Sequence, residues 1–167
     1  MKIPLCTFCL RTGVLCPRCE SLVRSGQVTE RDMEVMKVLL DLENQFPQLR
    51  DSEYVRCVES DRVLVVLLRG LRGISRSLLM KLNKVLEDKL GKMVRVVDVA
   101  TSFREGIEQL VMPLAVLGVN VVWFPDGTSE TVIRVAREAR RSIFSPRELE
   151  SLISAVFGTK VRVVVEG

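Results

Sequence analysis

Apolar positions along the chain alternate between helical and strand-like periods, and those periods predict its elements. Thr29-Glu30-Arg31-Asp32 reads as a helix start. Met33, Met36, Val38, Leu39, Leu40 and Leu42 follow at helical spacing toward Pro47, which predicts a helix over 29–45. Two β-like runs, 54–59 and 62–68, flank Ser60-Asp61 as a hairpin, and Gly70 and Gly73 then interrupt the pattern. Leu78, Leu79, Leu82, Val85, Leu86 and Leu90 mark an amphipathic helix over 77–90, which Gly91 ends before a strand at 93–99.

The same order then returns. A helix is predicted at 102–110, a strand at 118–124, a turn at Asp126-Gly127 and a strand at 130–135. A helix opened by Ser145-Pro146 and closed by Gly158 leads to a last strand at 160–166. A shift of 67 residues lays Gly91 on Gly158, Val94-Arg95-Val96-Val97 on Val161-Arg162-Val163-Val164, Leu82 on Leu149, Leu86 on Ile153 and Leu90 on Phe157. Self-similarity of that kind reads as an internal duplication.

Composition narrows the class. The chain has 167 residues, 47% hydrophobic and 28% charged, enough to fold as one large or two small domains. No apolar run approaches the roughly 20 residues of a membrane span. The start Met-Lys-Ile-Pro-Leu-Cys leaves no room for a secretory apolar region, so the expectation is a cytoplasmic protein that does not cross a membrane. Histidine is absent, which removes the commonest general base and the Ser-His and Cys-His nucleophile pairs. No nucleotide loop or nucleophile elbow is present. Asp98 and Asp126, the carboxylates best placed for acid–base work, have ordinary strand-end and turn readings. The expectation is a non-catalytic protein without a small-molecule substrate.

The four cysteines Cys6, Cys9, Cys16 and Cys19 form two C-x-x-C pairs six residues apart, a spacing that can present four thiolates to one tetrahedral zinc ion. Four thiolates leave no open position, so such a site is structural. Gly13 and Pro17 suit the turns between the pairs, and Phe8, Leu10 and Leu15 are expected to cover the ion. A redox dithiol is the competing reading. It fits less well, because the pairs are expected in a loop with no preceding strand rather than at a helix start. Disulfides are disfavoured in a reducing cytosol. Cys57 stands apart, in the strand at 54–59, as a small buried apolar residue.

The duplicated unit, with a basic loop before its long helix, resembles the prokaryotic-type (type II) KH domain, and the tandem pair is similar to that of archaeal NusA-like proteins. Gly70-Leu71-Arg72-Gly73 and Leu90-Gly91-Lys92-Met93-Val94-Arg95-Val96 carry the resemblance, which covers residues 30–167. It implies two KH-like domains at 29–100 and 101–167, each α-β-β-α-α-β, and with the zinc knuckle expected at 1–28 from the cysteine spacing the chain reads as α+β/α-β. The Gly-x-x-Gly loop of that family clamps a nucleic-acid backbone. By the family's spacing it falls at Ser77-Leu78-Leu79-Met80 and at Phe144-Ser145-Pro146-Arg147, where glycine is missing, so both clamps read as degenerate; the literal Gly70-Leu71-Arg72-Gly73 is the alternative.

Charge fills part of that gap. The net charge is +4, and from Arg69 to Lys92 seven basic residues face only Glu87 and Asp88. Arg69, Arg72, Arg76, Lys81 and Lys84 in the first half, and Arg137, Arg140, Arg141 and Arg147 in the second, surround the positions of the clamps and are the candidate nucleic-acid contacts. Of the aromatics, Phe103, Trp123, Phe124 and Phe144 could stack on bases, though Trp123 and Phe124, in a strand, are expected in the core. Two functions follow from the resemblance. One is an RNA-associated factor in transcription elongation or termination; the other is a protein-interaction module that docks to RNA polymerase or the ribosome and has lost RNA binding.

Overall fold

The computed structural model describes residues 1–137 and 144–166. The chain divides into two compact units, Met1–Ala100 and Thr101–Gly167, each built on its own three-stranded mixed sheet. The first unit runs α1 (Thr7–Thr12), α2 (Pro17–Arg24), α3 (Glu30–Leu42), a 3-10 turn (Pro47–Leu49), β1 (Glu53–Glu59), β2 (Val63–Arg69), α4 (Arg76–Leu90) and β3 (Met93–Asp98). The second runs α5 (Phe103–Val111), β4 (Val116–Trp123), β5 (Ser129–Ala136), α6 (Pro146–Phe157) and β6 (Val161–Glu166). Among the described residues no helix is long and apolar enough to cross a membrane.

The duplication is visible in the hydrogen-bond registers. In each sheet the first two strands are antiparallel and the second and third parallel, and Leu64 pairs with Val94 as Thr131 pairs with Val161, both partners 67 residues on. Each antiparallel pair carries a bulge at the same place, between Tyr54 and Arg56 and between Val116 and Gly118. A helix side chain satisfies the third strand in the same way twice. Asn83 Oδ1 accepts from Val96 N at 2.9 Å, and Glu150 Oε1 accepts from Val163 N at 3.0 Å. Both helices end on a glycine at φ 68°, Gly91 and Gly158, whose N–H closes the last turn.

The offset is not uniform. Cys57 opposite Val66 corresponds to Val119 opposite Ile133, so the first strands are offset by 62 residues and the hairpin of the second unit is five residues longer. In the first unit the hairpin closes just beyond Glu59 and Leu64, where Ser60 N donates to Val63 O. In the second it continues through Val122–Glu130 and Trp123–Ser129 before the Asp126-Gly127 turn.

Between its second and third strands the first unit has one helix, not the two of the expected α-β-β-α-α-β order. Residues 70–75 turn instead, with Gly70 at φ 86° and Gly73 at φ 73°, conformations that side chains beyond glycine rarely adopt and that helices do not contain. The corresponding stretch of the second unit includes residues 138–143, outside the described part. Trp123 and Phe124 are not core: they are 72% and 43% exposed, because the longer hairpin carries them past the covering helix.

Helix α3 is tied to the sheet through one buried carboxylate. Asp32 caps its own helix, accepting from Thr29 N and Thr29 Oγ1 at 2.9 Å each while its own N–H bonds Thr29 Oγ1. Its other oxygen accepts from the Tyr54 hydroxyl and, at 3.0 Å, from Cys57 N, both on β1. Burial opposes the Asp32 charge, but the Tyr54 hydroxyl, Thr29 and Cys57 together outweigh it and hold the carboxyl below its ordinary range. Burial and the same bond push the Tyr54 phenol up, and burial pushes Cys57 to about 12, in keeping with an inert thiol. Beside this, Glu59 accepts from Arg31 at 2.8 and 3.1 Å and from Lys92 at 2.8 Å, and these two cations hold its carboxyl down to about 2.

A carboxylate with a lowered folded-state pKa stabilises the fold above its unfolded value and loses that contribution as pH falls toward the folded one. Stability is therefore expected to decline on the acid side, below about pH 4. Asp32→Ala is expected to cost about 3 kcal/mol in urea unfolding at pH 7 and to flatten the acid decline, whereas Tyr54→Phe costs about 1 kcal/mol.

Candidate metal centre and basic face

The C-x-x-C pairs do not lie in a loop. Each opens a short helix, with Cys6 and Cys16 as the residues before the first turns of α1 and α2, and Cys9 and Cys19 three residues on. The pairs interlock: Cys6 N donates to Cys19 Sγ and Cys16 N to Cys9 Sγ, both at 3.3 Å. All five cysteines are free thiols, and the four Sγ atoms of the cluster lie within 4.8 Å of one another. A tetrahedron with metal–sulfur bonds of about 2.3 Å has edges of about 3.8 Å, so this group could hold a metal ion with little adjustment.

Cys9 and Cys19 are buried, while Cys6 and Cys16 are partly exposed. The Cys19 N–H, with the thiols of Cys19 and Cys9, draws Cys16 down to about 7. At Cys19 the Cys6 N–H acts in the same direction, but burial and the three neighbouring thiols outweigh it and push the group up to about 12. Four sulfurs this close could hold a metal ion, which would take them as thiolates. The Arg18 guanidinium, 3.6 Å from Cys6 Sγ, adds a positive charge at the rim, and the thiols raise its pKa in return. Convergence of four sulfurs, rather than the absence of a helix start, is what distinguishes the cluster from a lone redox dithiol.

Of the residues expected to cover the cluster, Leu10 is 1% exposed and Leu15 partly buried, but Phe8 is 72% exposed. As the second residue of α1 it lies on the face opposite Cys9 and Leu10, which pack toward α3.

The basic candidates of the first unit gather on one exposed surface. Arg72 sits in the loop after β2, Arg76 opens α4, and Lys84 lies two turns on in the same row, with Met80 between them and Lys81 beside. Among the described residues, no acidic group stands within ion-pair distance of Arg72, Lys81 or Lys84. Arg69, at the end of β2, is paired with Glu53 at 3.6 Å. In the second unit Arg147 is exposed on the first turn of α6 beside Glu148. Arg137 is exposed, and its N–H donates to Glu166 O at 2.7 Å. Arg140 and Arg141 lie outside the described residues.

The loop before α4 is Gly70-Leu71-Arg72-Gly73 itself. Ser77-Leu78-Leu79-Met80, where family spacing puts the clamp, lies inside α4, whose cap is Ser75. Helix α4 is one turn longer than α6, 15 residues against 12, which is why counting back from Gly91 falls short of the loop. In the second unit Ser145 caps α6, and Phe144 is 2% exposed, unavailable for stacking. Phe103 packs edge-to-face on Phe157 at 5.2 Å.

Sequence reasoning missed the role of Asp98. At the end of β3 and 5% exposed, it accepts from Gly70 N at 3.1 Å, Leu71 N at 2.9 Å and Ala100 N at 2.9 Å. Arg72 N donates to Gly70 O. Three successive loop amides are thus engaged within the protein, over a buried carboxylate, and the loop's one basic side chain is the exposed Arg72. The second unit has Val165 at the matching position, which offers no carboxylate. A lone aspartate closing a strand, 28 residues after the first glycine of a Gly-x-x-Gly, was the available signal.

The chain matches no family model and no curated protein. A solved structure, the crystal structure of APE1850, aligns with a TM-score of 0.44 at 21% identity, covering 76% of this chain and 96% of that one. A likeness at that score carries no argument about this chain.

Asp98→Ala leaves the buried Leu71 N–H and its neighbours unpaired. It is expected to cost about 2–4 kcal/mol in urea unfolding and to raise amide hydrogen exchange at Gly70 and Leu71 more than at β2.

Proposed function

We propose that the protein is a non-catalytic RNA-associated factor of the archaeal NusA-like kind, with two KH-like units and an N-terminal zinc knuckle. The observation that carries this reading is the exposed basic face of Arg72, Arg76, Lys81 and Lys84, which spans the β2–α4 loop and two turns of α4. The element order supports the KH comparison apart from the second helix after β2. RNA binds here through phosphate contacts with side chains, since the amides of Gly70, Leu71 and Arg72 are already engaged. Such binding is strongly salt-dependent and discriminates poorly between sequences. Zinc is the metal that four thiolates suit best, in a closed structural site with no coordination position left for chemistry. The two isolated carboxylates support a non-catalytic role: Asp98 is spent on backbone amides and Asp126 on Thr128 N and Oγ1.

The engaged loop amides favour a second reading, a docking module for RNA polymerase or the ribosome that no longer binds RNA. Titrating a short unstructured RNA across a salt series separates the two. The first reading expects binding that weakens linearly on a log–log salt plot, with the Arg72, Arg76, Lys81, Lys84→Glu variant, still folded by circular dichroism, at least about 100-fold weaker. Equal binding by both proteins, or none by either at about 50 mM salt, contradicts it and leaves the docking module.

A further inference from the structure

Arg18 stands where its own helix has least use for it. It is the second residue of α2, and a cation in a first turn opposes the helix dipole, whose positive end lies there. The charges the dipole favours are Glu20 in the first turn and Arg24 in the last, and these pair with each other at 2.6 Å. Among the described residues no carboxylate stands within ion-pair distance of Arg18, and the groups that act on its charge are cysteine sulfurs, Cys6 first. The guanidinium reaches back across the cluster instead. Arg18 Nη2 donates to Cys6 Sγ at 3.6 Å, a bond between residues 12 positions apart that ties α2 to the first C-x-x-C pair.

The sulfurs are provided for in two ways. Both buried ones accept from backbone amides fixed at helix starts, Cys19 Sγ from Cys6 N and Cys9 Sγ from Cys16 N, at 3.3 Å each. Cys6 is partly exposed, and its donor is a side chain that is itself exposed. A divalent ion held by four thiolates leaves a doubly negative centre. Amide dipoles relieve that charge only in part, whereas a guanidinium in contact with one sulfur sets a full positive charge against it.

We infer that Arg18 is the charge-compensating residue of the metal centre: its guanidinium, lying on Cys6 Sγ, stabilises the tetrathiolate and sets how tightly the metal is held. Arg18 is a positioning residue, not a ligand, and acts through Cys6. The inference rests on the metal reading of the four cysteines and is independent of what the basic face binds.

Competition with a chromophoric chelator reads the zinc affinity of the full chain. Arg18→Gln removes the charge from a turn where the helix does not favour it, so the helix is not weakened by the change. The variant is expected to bind zinc about 10–100-fold more weakly, with the circular dichroism of the zinc-loaded protein unchanged. Arg18→Lys keeps a point charge beside the sulfur and binds within about threefold of the wild type. With cobalt in place of zinc, the wild type and both variants show the same ligand-field bands of a tetrahedral four-sulfur site, which places the change in affinity and not in the ligand set. Equal zinc affinity in Arg18→Gln and the wild type overturns the inference while the metal reading stands. A lysine variant as weak as the glutamine one overturns charge compensation, and so does a cobalt spectrum altered in Arg18→Gln. A wild type that binds neither metal overturns both readings.

Discussion

Four sulfur atoms drawn to one point are the constraint on which the N-terminal part of the structure depends. Residues 1–28 bury only Leu5, Cys9, Leu10, Cys19 and Val28, too little apolar surface to hold two short helices against α3. On our reading a metal ion supplies what packing does not, because free energy of binding becomes free energy of folding in such segments. The consequence reaches past the cluster. The same segment lays Lys2 along β1 and sets the terminal ammonium of Met1 on Glu43 and the Arg50 carbonyl. The first sheet thus has its edge bridged by the cysteine segment, whereas among the described residues no strand pairs with the outer side of β4 in the second.

The two halves share one frame and differ where chemistry is added to it. Strand registers, bulges, helix-ending glycines and the helix-to-strand bonds of Asn83 and Glu150 are common to both. The first unit adds an anchored loop and a basic helix face. The second has Val165 in place of that carboxylate, a helix one turn shorter, and a longer hairpin with an apolar arm. Exposed charge gathers on one unit and exposed apolar side chains on the other.

Most elements were legible because their periods are strong. The helix over 77–90 and the strand at 54–59 differ from α4 and β1 by one residue at one boundary, and the strand at 62–68 is shifted by one residue from β2. The repeat was legible from Gly91, Gly158 and the valine runs. What the sequence did not disclose has a physical cause in each case. Trp123 and Phe124 satisfy the strand pattern, but whether a strand residue is buried depends on how far the covering helix reaches. Phe8 sits beside cysteines in sequence yet on the far face of a helix turn. Asp98 offered an ordinary strand-end reading, because its bonds run to amides 27 and 28 residues away that no local pattern connects. The position of the glycine loop was misjudged because the helix after it is a turn longer than the spacing assumed.

The most direct test of the account is metal analysis, combined with X-ray absorption at the zinc edge, on protein purified without added metal. The account predicts about one zinc per chain with four sulfur neighbours at about 2.3 Å, and loss of the α1–α2 fold when it is removed. A folded chain without metal, with α1 and α2 intact and all four thiols open to alkylation, would contradict it.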